Sequence, residues 1–468
     1  MSATKLWTPM AWLGADASQA WARNVLLEID AAGDWSRITS GVGLDEAKQQ
    51  GATVVNGPLL PGIVNAHSHA FQRAFAGLAE RRDSEHDDFW SWRDRMYRVA
   101  LAISPAQLKA VASQLYLELL RGGYTQVCEF HYLHHAPNGK PYVDPLRMSW
   151  MLIEAAREVG IGLTLLPVLY ERSGFTATTL RDDQRRFATD AAWVLDAQAR
   201  IASLGQGSNT LNAGVAIHSL RAASPASIHT LVSGAQGPIH IHVAEQTGEV
   251  DECIKVTGLR PVAWLAQHHA LDARWQLIHA THVTPSEIES VAKRGASAVI
   301  CPTTEANLGD GTTDVSAWLN AGTTLAVGSD SHVTRDWREE LRLLEYGQRL
   351  QHRARNIAAS PATGHSNTAE RLFSRVVAGG AAASGHTVWG LAVGARADAL
   401  VVNSTQPALL GVPESRTLDA MIFSSPSLPF HEVMVAGRWV IQRGAHAATT
   451  TIASAFTEAM RGLWGDVL

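Results

Sequence analysis

The segment PGIVNAHSH, residues 61–69, places two histidines directly behind a turn and a short apolar run. Pro61 and Gly62 favour a turn, and the residues that follow favour a β-strand. Residues i and i+2 of a strand point to the same side, so His67 and His69 face one spot together. The segment therefore predicts a strand that ends in two imidazoles directed at one point.

Seven further β-rich runs follow, separated by longer helical patterns. The eight runs are LLPGIVNAH (59–67), YTQVCEF (124–130), GLTLLPVLY (162–170), LNAGVAIHSL (211–220), PIHIHVAE (238–245), WQLIHATHV (275–283), ASAVICPTT (296–304) and TTLAVGSD (323–330). Several are almost continuously apolar, as expected for parallel strands covered on both faces. Together with intervening helices, the first clear one over 104–122 with Ser104 as its N-cap, they favour an α/β fold, a (β/α)8 TIM-like barrel.

The two ends of the chain have a different pattern. Residues 1–58 contain NVLLEID and ATVVNG, and residues 386–445 contain ADALVVN and HEVMVAGRWVIQRG, which are typical of short strands and turns. We therefore expect the catalytic barrel over 59–385. Residues 1–58 and 386–468 are expected to build one small β-sandwich domain, with a terminal helix in IASAFTEAMRGLW.

The composition narrows the class of protein. The 468 residues are 46% hydrophobic and 18% charged, with a net charge of −5, which offers no basic surface for nucleic acid or an anionic membrane. Cys128, Cys253 and Cys301 are too few for a disulfide framework and indicate reduced thiols. The sequence shows no signal-peptide pattern and no run near ~18 apolar residues. A cytoplasmic protein is expected.

Polar residues gather where the predicted strands end, which in a (β/α)8 barrel is the face that carries the chemistry. The first run supplies His67, with His69 and Gln72 just beyond it, and the second supplies Glu129, with His131 and Tyr132 just beyond it. The fourth supplies His218, followed by Arg221. The fifth supplies His240, His242 and Glu245, the sixth His279 and His282, and the eighth Asp330. A lone histidine is more often structural. Five histidine-bearing strand ends with a final aspartate favour a divalent metal, most simply zinc.

Four motifs in order, PGIVNAHSH, HIHVAE, LIHATH and VGSDS, resemble the amidohydrolase superfamily in its mononuclear deaminase branch. NAHSHAFQRAFAGLAE, FWSWRDRMYR, FHYLHH, HSLRA, CPTTEANLGDG and EELRLLEYGQRL are further similar to formimidoylglutamate deiminases of histidine breakdown. The similarity spans nearly the whole barrel. It implies one divalent metal per chain, a homodimer, and hydrolysis of the small molecule N-formimino-L-glutamate to N-formyl-L-glutamate and ammonia.

The resemblance also implies a role for each site residue. The metal ligands would be His67, His69, His242 and Asp330, the catalytic residues Glu245, His279 and Asp330, and the substrate-binding residues Gln72, Arg93, Tyr132, His218 and Arg221. Asp330 would take the first proton from the attacking water, His279 would hydrogen-bond to that water, and Glu245 would pass protons to the leaving ammonia. Arginines suit the two substrate carboxylates because they bind them in a bidentate manner. Without the resemblance, Arg93 would be interpreted as a surface helix arginine.

Some roles stay open at this point. His240 faces the same way as His242 but one layer deeper, where filling of the barrel is the simpler role. His282 and His332 fall in loops beyond their strands. Glu129 fits a second ion and a structural role equally well.

Competing functions also follow from the same residues. One is another mononuclear deaminase, acting on guanine, cytosine or an adenosine derivative, although paired arginines suit a nucleobase poorly. Another is an inactive scaffold for protein assembly, although every position of the metal pattern is filled. A two-metal hydrolase bridged by a carboxylated lysine is disfavoured, because no lysine lies between Lys140 and Lys255.

Overall fold

The computed structural model describes residues 4–14, 20–82 and 89–465. The strands are β1 (Thr4–Trp12), β2 (Trp21–Ile29), β3 (Trp35–Thr39), β4 (Thr53–Val54), β5 (Leu59–Pro61), β6 (Ile63–Ser68), β7 (Tyr124–His131), β8 (Gly162–Leu169), β9 (Leu211–Ala213), β10 (Val215–Ile217), β11 (Ile239–Val243), β12 (Trp275–His279), β13 (Ser297–Ile300), β14 (Thr324–Val327), β15 (Ala399–Val402), β16 (Phe430–Val435) and β17 (Arg438–Ile441).

The α-helices are α1 (Leu44–Gln49), α2 (Phe89–Ala102), α3 (Pro105–Arg121), α4 (Arg147–Val159), α5 (Ala191–Gly205), α6 (Pro225–Gly234), α7 (Thr247–Thr257), α8 (Pro261–His268), α9 (Pro285–Arg294), α10 (Pro302–Leu308), α11 (Val315–Asn320), α12 (Trp337–His352), α13 (Thr368–Ser384), α14 (Thr417–Phe423) and α15 (Thr449–Trp464). Short 3-10 turns include Ala70–Ala74 and Asp182–Gln184. None of the helices in the described part of the chain has the length and apolar sequence needed to cross a membrane.

Eight parallel strands form the central barrel in the order β6-β7-β8-β10-β11-β12-β13-β14. Each coincides with one of the eight predicted runs, although β6 and β7 extend one residue beyond theirs. Gly214 divides the fourth run into β9, which pairs with β8, and β10. A parallel bridge between Ser68 and Asp330 brings the end of β14 back to β6, so the sheet is nearly closed. Helices pack around it. The predicted (β/α)8 fold is confirmed.

Strands from both ends of the chain form a second sheet, in the order β17-β16-β15-β5-β1-β2-β3, with β4 against β1. β5 joins the two halves because it pairs with β1 on one side and with β15 on the other. The chain then enters the barrel at Gly62, where a Cβ would lie 2.1 Å from Thr125 Oγ1. The joint β structure of the terminal segments is confirmed, whereas domain boundaries at residues 58 and 385 stay a prediction.

Helix α3 begins where its sequence predicts. Ser104 Oγ accepts a hydrogen bond from the Gln107 N–H (3.3 Å), and the Gln107 side chain accepts one from the Ser104 N–H (2.9 Å). This reciprocal cap satisfies two amide groups that the first helical turn leaves free. The helix ends at Gly122, where a Cβ would lie 1.8 Å from the Arg335 carbonyl oxygen.

A buried ion pair holds the second sheet against the barrel. The side chains of Arg396 and Asp398 are 1% and 3% exposed, and two nitrogens of the guanidinium donate to the two carboxylate oxygens at 2.9 and 2.6 Å. Arg396 also donates to Gln126 Oε1 (2.7 Å) and to the Thr125 carbonyl (3.0 Å) in β7. Asp398 accepts from the Ala436 N–H beyond β16 (2.9 Å). One charged pair therefore joins both sheets.

Replacing this arginine should destabilise the fold. Arg396→Met leaves Asp398 buried without its counter-charge, and a loss of about 3–5 kcal/mol in the free energy of unfolding is expected. Denaturant unfolding measures it. The control is Arg274→Met, whose partner Asp272 lies in a half-exposed pair, so its loss should stay below about 1 kcal/mol. Equal losses in both variants would contradict the role given to Arg396.

Candidate active site

Four strand ends bring five polar side chains to one place. His67 lies in β6 and His69 directly after it, His242 lies in β11, His279 ends β12, and Asp330 follows β14. Each is 7% exposed or less. The φ angles of His279 and Asp330 are 67° and 44°, in the left-handed region. Non-glycine residues in that region concentrate where function constrains the backbone.

The four predicted metal ligands converge. His242 Nε2 lies 3.0 Å from His67 Nε2. Asp330 Oδ1 lies 3.4 Å from His67 Nε2 and 3.3 Å from His69 Nε2. The cluster is a candidate site for a metal ion held by imidazole and carboxylate groups.

Hydrogen bonds set the tautomers of two of these histidines. Nδ1 of His69 lies 2.9 Å from the Phe130 carbonyl oxygen, and Nδ1 of His242 lies 2.8 Å from the His218 carbonyl oxygen. Because a carbonyl only accepts, each Nδ1 carries the proton and each Nε2 presents a lone pair. Burial and then neighbouring imidazoles hold the pKa of His242 well below its usual range. The Nε2 lone pairs and the nearby Asp330 carboxylate oxygen could together bind a divalent cation placed between them.

His279 differs from the predicted ligand histidines. Burial lowers its pKa, but Glu245, Glu305 and Asp330 outweigh burial and raise the pKa to about 10. Its Nδ1 lies 3.3 Å from Glu305 Oε1, and its Nε2 lies 3.6 Å from Glu245 Oε1 and 3.7 Å from Asp330 Oδ2. Distances alone would admit His279 and Cys301 as ligands. His279 and Cys301 therefore stay candidate ligands beside the four predicted ones, and burial raises the pKa of the Cys301 thiol well above its usual range.

Three other histidines stand apart from this cluster. Nε2 of His240 lies 2.9 Å from a backbone carbonyl of α13. Nδ1 of His332 lies 3.0 Å from Ser329 Oγ, and its Nε2 lies 3.1 Å from the His69 carbonyl oxygen. His282 lies half-buried in the loop after β12. These contacts favour structural roles for His240 and His332.

Glu129 has both carboxylate oxygens engaged by protein donors. Ser68 Oγ (2.7 Å) and the Tyr116 hydroxyl (3.3 Å) donate to Oε2, and the Ala70 N–H (2.6 Å) donates to Oε1. Burial raises the pKa of Glu129 to about 8. Of the two roles left open by the sequence, these contacts favour the structural one, in which Glu129 holds the turn that carries His69.

A cavity opens above the cluster and brings the predicted substrate-binding residues together. It is lined by Gln72, Arg93, Tyr132, His218 and Arg221, and also by His69, His242, Glu245, His279 and Asp330. Gln72 Nε2 donates to the Tyr132 hydroxyl (3.1 Å). Burial lowers the pKa of Arg221, but Glu249 and Glu245 raise it above its usual value. Within the described ranges, the buried Nε of Arg221 has no hydrogen-bond partner. The cavity therefore has a fixed positive charge beside the histidine–aspartate cluster.

Sequence reasoning missed several residues around the cavity. Glu305, which contacts His279, stands in α10 directly after β13, and the rule of strand ends could have found it. Tyr170 follows β8 and was detectable in the same way. Tyr97 and Gln184 line the cavity from α2 and from the loop after β8, where no motif marks them.

The model of the amidohydrolase family matches residues 59–440. The formimidoylglutamate deiminase of Pseudomonas aeruginosa is 44% identical over 448 residues, which covers 94% of this chain and 96% of that protein. The crystal structure of an amidohydrolase from Brucella melitensis has a TM-score of 0.91 at 40% identity and covers 98% of this chain and 99% of that one. An adenosine deaminase from Xanthomonas campestris with bound zinc has a TM-score of 0.79 at 18% identity and covers 99% and 98%.

The barrel, the histidine–aspartate cluster at its strand ends and these similarities define the class, which is a hydrolase with a candidate metal site. The chain belongs to the amidohydrolase family.

Two histidines of one strand offer a matched test of the ligand set. His242→Asn should weaken metal binding by more than about 100-fold, since even the loss of a group that only orients a ligand costs 10–100-fold. His240→Asn removes an imidazole of the same strand that lies 2.9 Å from a backbone carbonyl, and it should keep the metal. Metal analysis of both purified variants measures this. Loss of metal from His240→Asn, with retention in His242→Asn, would contradict the ligand set.

Proposed function

We propose that the protein hydrolyses N-formimino-L-glutamate to N-formyl-L-glutamate and ammonia, as in histidine degradation. The observation that carries the proposal is the charged Arg221 in the same cavity as the histidine–aspartate cluster. N-formimino-L-glutamate has two carboxylates at one end, which suit Arg221, and an amidine at the other, which suits the histidine–aspartate cluster. The relative named formimidoylglutamate deiminase, 44% identical over nearly the full length, supports the same substrate.

His67, His69, His242 and Asp330 would hold one divalent metal, and nitrogen and oxygen donors of this kind suit zinc. When bound, such a metal lowers the pKa of a water to about 7 and so supplies a nucleophile at neutral pH. We further propose that the protein is a cytoplasmic homodimer with no nucleic-acid partner, as the resemblance and the acidic net charge imply.

Proton transfer would fall to three residues. Asp330 accepts the first proton from the attacking water as its oxygen bonds to the formimino carbon. Protonated His279, 3.7 Å from Asp330 Oδ2, donates a hydrogen bond to the oxygen at which negative charge develops. Burial raises the pKa of Glu245, so this carboxyl can exchange protons near neutral pH. It protonates the terminal nitrogen, and the bond from that nitrogen to carbon breaks as ammonia leaves. The remaining hydroxyl proton returns to the Glu245 carboxylate, so that the formyl carbonyl forms. The proton held by Asp330 passes to the departing ammonia, which restores both carboxyl groups.

The cavity would orient the other end of the substrate. Arg221 and Arg93 would bind the two carboxylates. Tyr132 and His218 line the same cavity next to the cluster, with ring centres 5.0 Å from that of His69 and 5.2 Å from that of His242, respectively. Gln72, already bonded to Tyr132, fixes the direction of that hydroxyl. Holding the formimino carbon beside the attacking water is the main contribution of these residues, since orientation alone lowers a barrier by several kcal/mol.

Glu245→Gln should keep the metal and lose most of kcat, by a factor of about 10²–10⁴. The amide fills the same space but cannot give and regain a proton. Steady-state ammonia release, together with metal analysis, measures both quantities. A variant that loses its metal would show that Glu245 is a ligand and not a proton shuttle.

Arg221→Met should lower kcat/KM for N-formimino-L-glutamate by roughly 30-fold to several thousand-fold. Removing one partner of a desolvated charge pair costs about 2–5 kcal/mol. Formamidine, which has no carboxylates, should be a poor substrate for the parent and scarcely poorer for the variant. Metal content should not change.

Arg371→Met is a suitable control, because Arg371 is a buried arginine that donates to the Ala358 carbonyl (2.9 Å) and does not line the cavity. Arg371→Met should leave the ratio of kcat/KM for N-formimino-L-glutamate to kcat/KM for formamidine unchanged. If Arg221→Met hydrolyses N-formimino-L-glutamate as well as the parent does, the carboxylate role is wrong. If the parent prefers guanine, cytosine or an adenosine derivative, the proposed substrate is wrong.

A further inference from the structure

Gln184 is a buried amide on the wall of the cavity, with 2% of its surface exposed. It ends the short turn Asp182–Gln184 in the loop after β8. Its Nε2 donates to the Tyr170 hydroxyl (2.9 Å) and to the Tyr97 hydroxyl (3.3 Å), and its Oε1 accepts from the Arg181 N–H (3.1 Å). Both amide hydrogens are therefore used on tyrosines that themselves line the cavity.

Each of these tyrosines contacts a different proposed substrate-binding residue. Tyr97 lies one helical turn after Arg93 in α2, and the guanidinium carbon of Arg93 is 5.4 Å from the centre of the Tyr97 ring. The Tyr170 ring centre is 4.2 Å from that of His218. One amide thus connects the supports of Arg93 and His218, which stand on separate elements of the barrel.

Phe187 completes this wall from the same loop. It is fully buried, and its ring centre lies 5.6 Å from that of Tyr97, 5.6 Å from that of Tyr170 and 5.2 Å from that of Tyr132. The loop after β8 therefore packs against three cavity tyrosines at once, while Gln184 supplies the polar contacts of that packing.

The direction of the hydrogen bonds matters for an anionic substrate. The amide donates to both hydroxyl oxygens, and the two hydroxyls also hydrogen-bond to each other. One of the two tyrosine protons is therefore left for another acceptor. Burial and then the nearby Tyr97 hydroxyl raise the pKa of Tyr170 well above its usual value, so this hydroxyl stays protonated. An amide at position 184 therefore leaves one hydroxyl proton available on the side of the cavity that holds Arg93 and His218.

We propose that Gln184 is a positioning and specificity-determining residue for the carboxylate end of the substrate. It orients the hydrogen-bonded pair of Tyr97 and Tyr170 so that one hydroxyl proton is directed at the substrate, and it holds the supports of Arg93 and His218 at a constant separation. The inference rests on the proposed function, since it concerns recognition of the two carboxylates of N-formimino-L-glutamate.

Two substitutions of similar size test it. Gln184→Met keeps the shape and removes both donors, and Gln184→Glu replaces the donors with an acceptor that draws the tyrosine protons away from the substrate. For each, KM for N-formimino-L-glutamate and the inhibition constant of N-formyl-L-glutamate should rise by about tenfold, the effect of one to two neutral hydrogen bonds. The kcat should change by less than about threefold, and kcat/KM for formamidine and the metal content should stay at the parent values.

Gln348→Met is the matched control. Gln348 is an equally buried glutamine that donates to the Thr313 carbonyl (2.9 Å) and accepts from the Val315 N–H (3.2 Å) outside this cavity. It should leave KM unchanged even if the melting temperature falls. Tyr97→Phe and Tyr170→Phe each remove one oxygen atom, and each should reproduce part of the KM increase even if the Gln184 variants do not fold.

The outcomes separate the two proposals. An unchanged KM in Gln184→Met and in both tyrosine variants, with an active parent, would overturn only the positioning role. An equal loss with N-formimino-L-glutamate and formamidine would also overturn it, because a purely structural defect affects both substrates alike. A parent enzyme that does not hydrolyse N-formimino-L-glutamate would overturn the proposed function and this inference together.

Discussion

Two backbone hydrogen bonds close the barrel, and the site depends on them. The Asp330 N–H donates to the His67 carbonyl (3.0 Å), and the His69 N–H donates to the Asp330 carbonyl (3.4 Å). Asn65 reinforces the closure, because its side chain donates to Ser329 Oγ (2.7 Å) and accepts from the Ser329 N–H (2.9 Å). The residues that join the first strand to the last are thus the residues whose side chains converge. Barrel closure and site geometry cannot vary independently.

The barrel strands and the polar residues at their ends could be predicted from the sequence for one physical reason. Parallel strands buried on both faces are continuous apolar runs, so all eight could be identified, and polar residues after such runs stand out against them. The two-residue repeat of a strand is enough to place His67 and His69 on the same side. The same repeat could not separate His240 from His242. The structure does so, because Nε2 of His240 lies 2.9 Å from a backbone carbonyl of α13, whereas Nε2 of His242 lies 3.0 Å from Nε2 of His67.

The parts that the sequence did not predict depend on contacts between distant segments. The raised pKa of His279 comes from Glu245, Glu305 and Asp330, which stand on other strand ends and helices. Gln184 lies in a loop without a motif, and its role comes from the two tyrosines that it touches. Arg93 was predicted only through the family resemblance, because nothing in its own helix marks it, and in the structure it lines the cavity that α2 borders. Sequence periodicity describes one helix or strand at a time, whereas these contacts each involve several elements that are distant in the sequence.

The position of β5 between β1 and β15 determines the order in which the strands of the second sheet can pair during synthesis. Leu60 pairs with Leu400, so the second sheet joins strands from opposite ends of the chain. During synthesis the N-terminal strands leave the ribosome long before β15 exists, and the edge of β5 has no partner throughout that interval. Unpaired strand edges are templates for association with other chains. The nascent protein is therefore most prone to aggregate while its barrel is being synthesised. Pairing of β15 with β5 then removes the free strand edge.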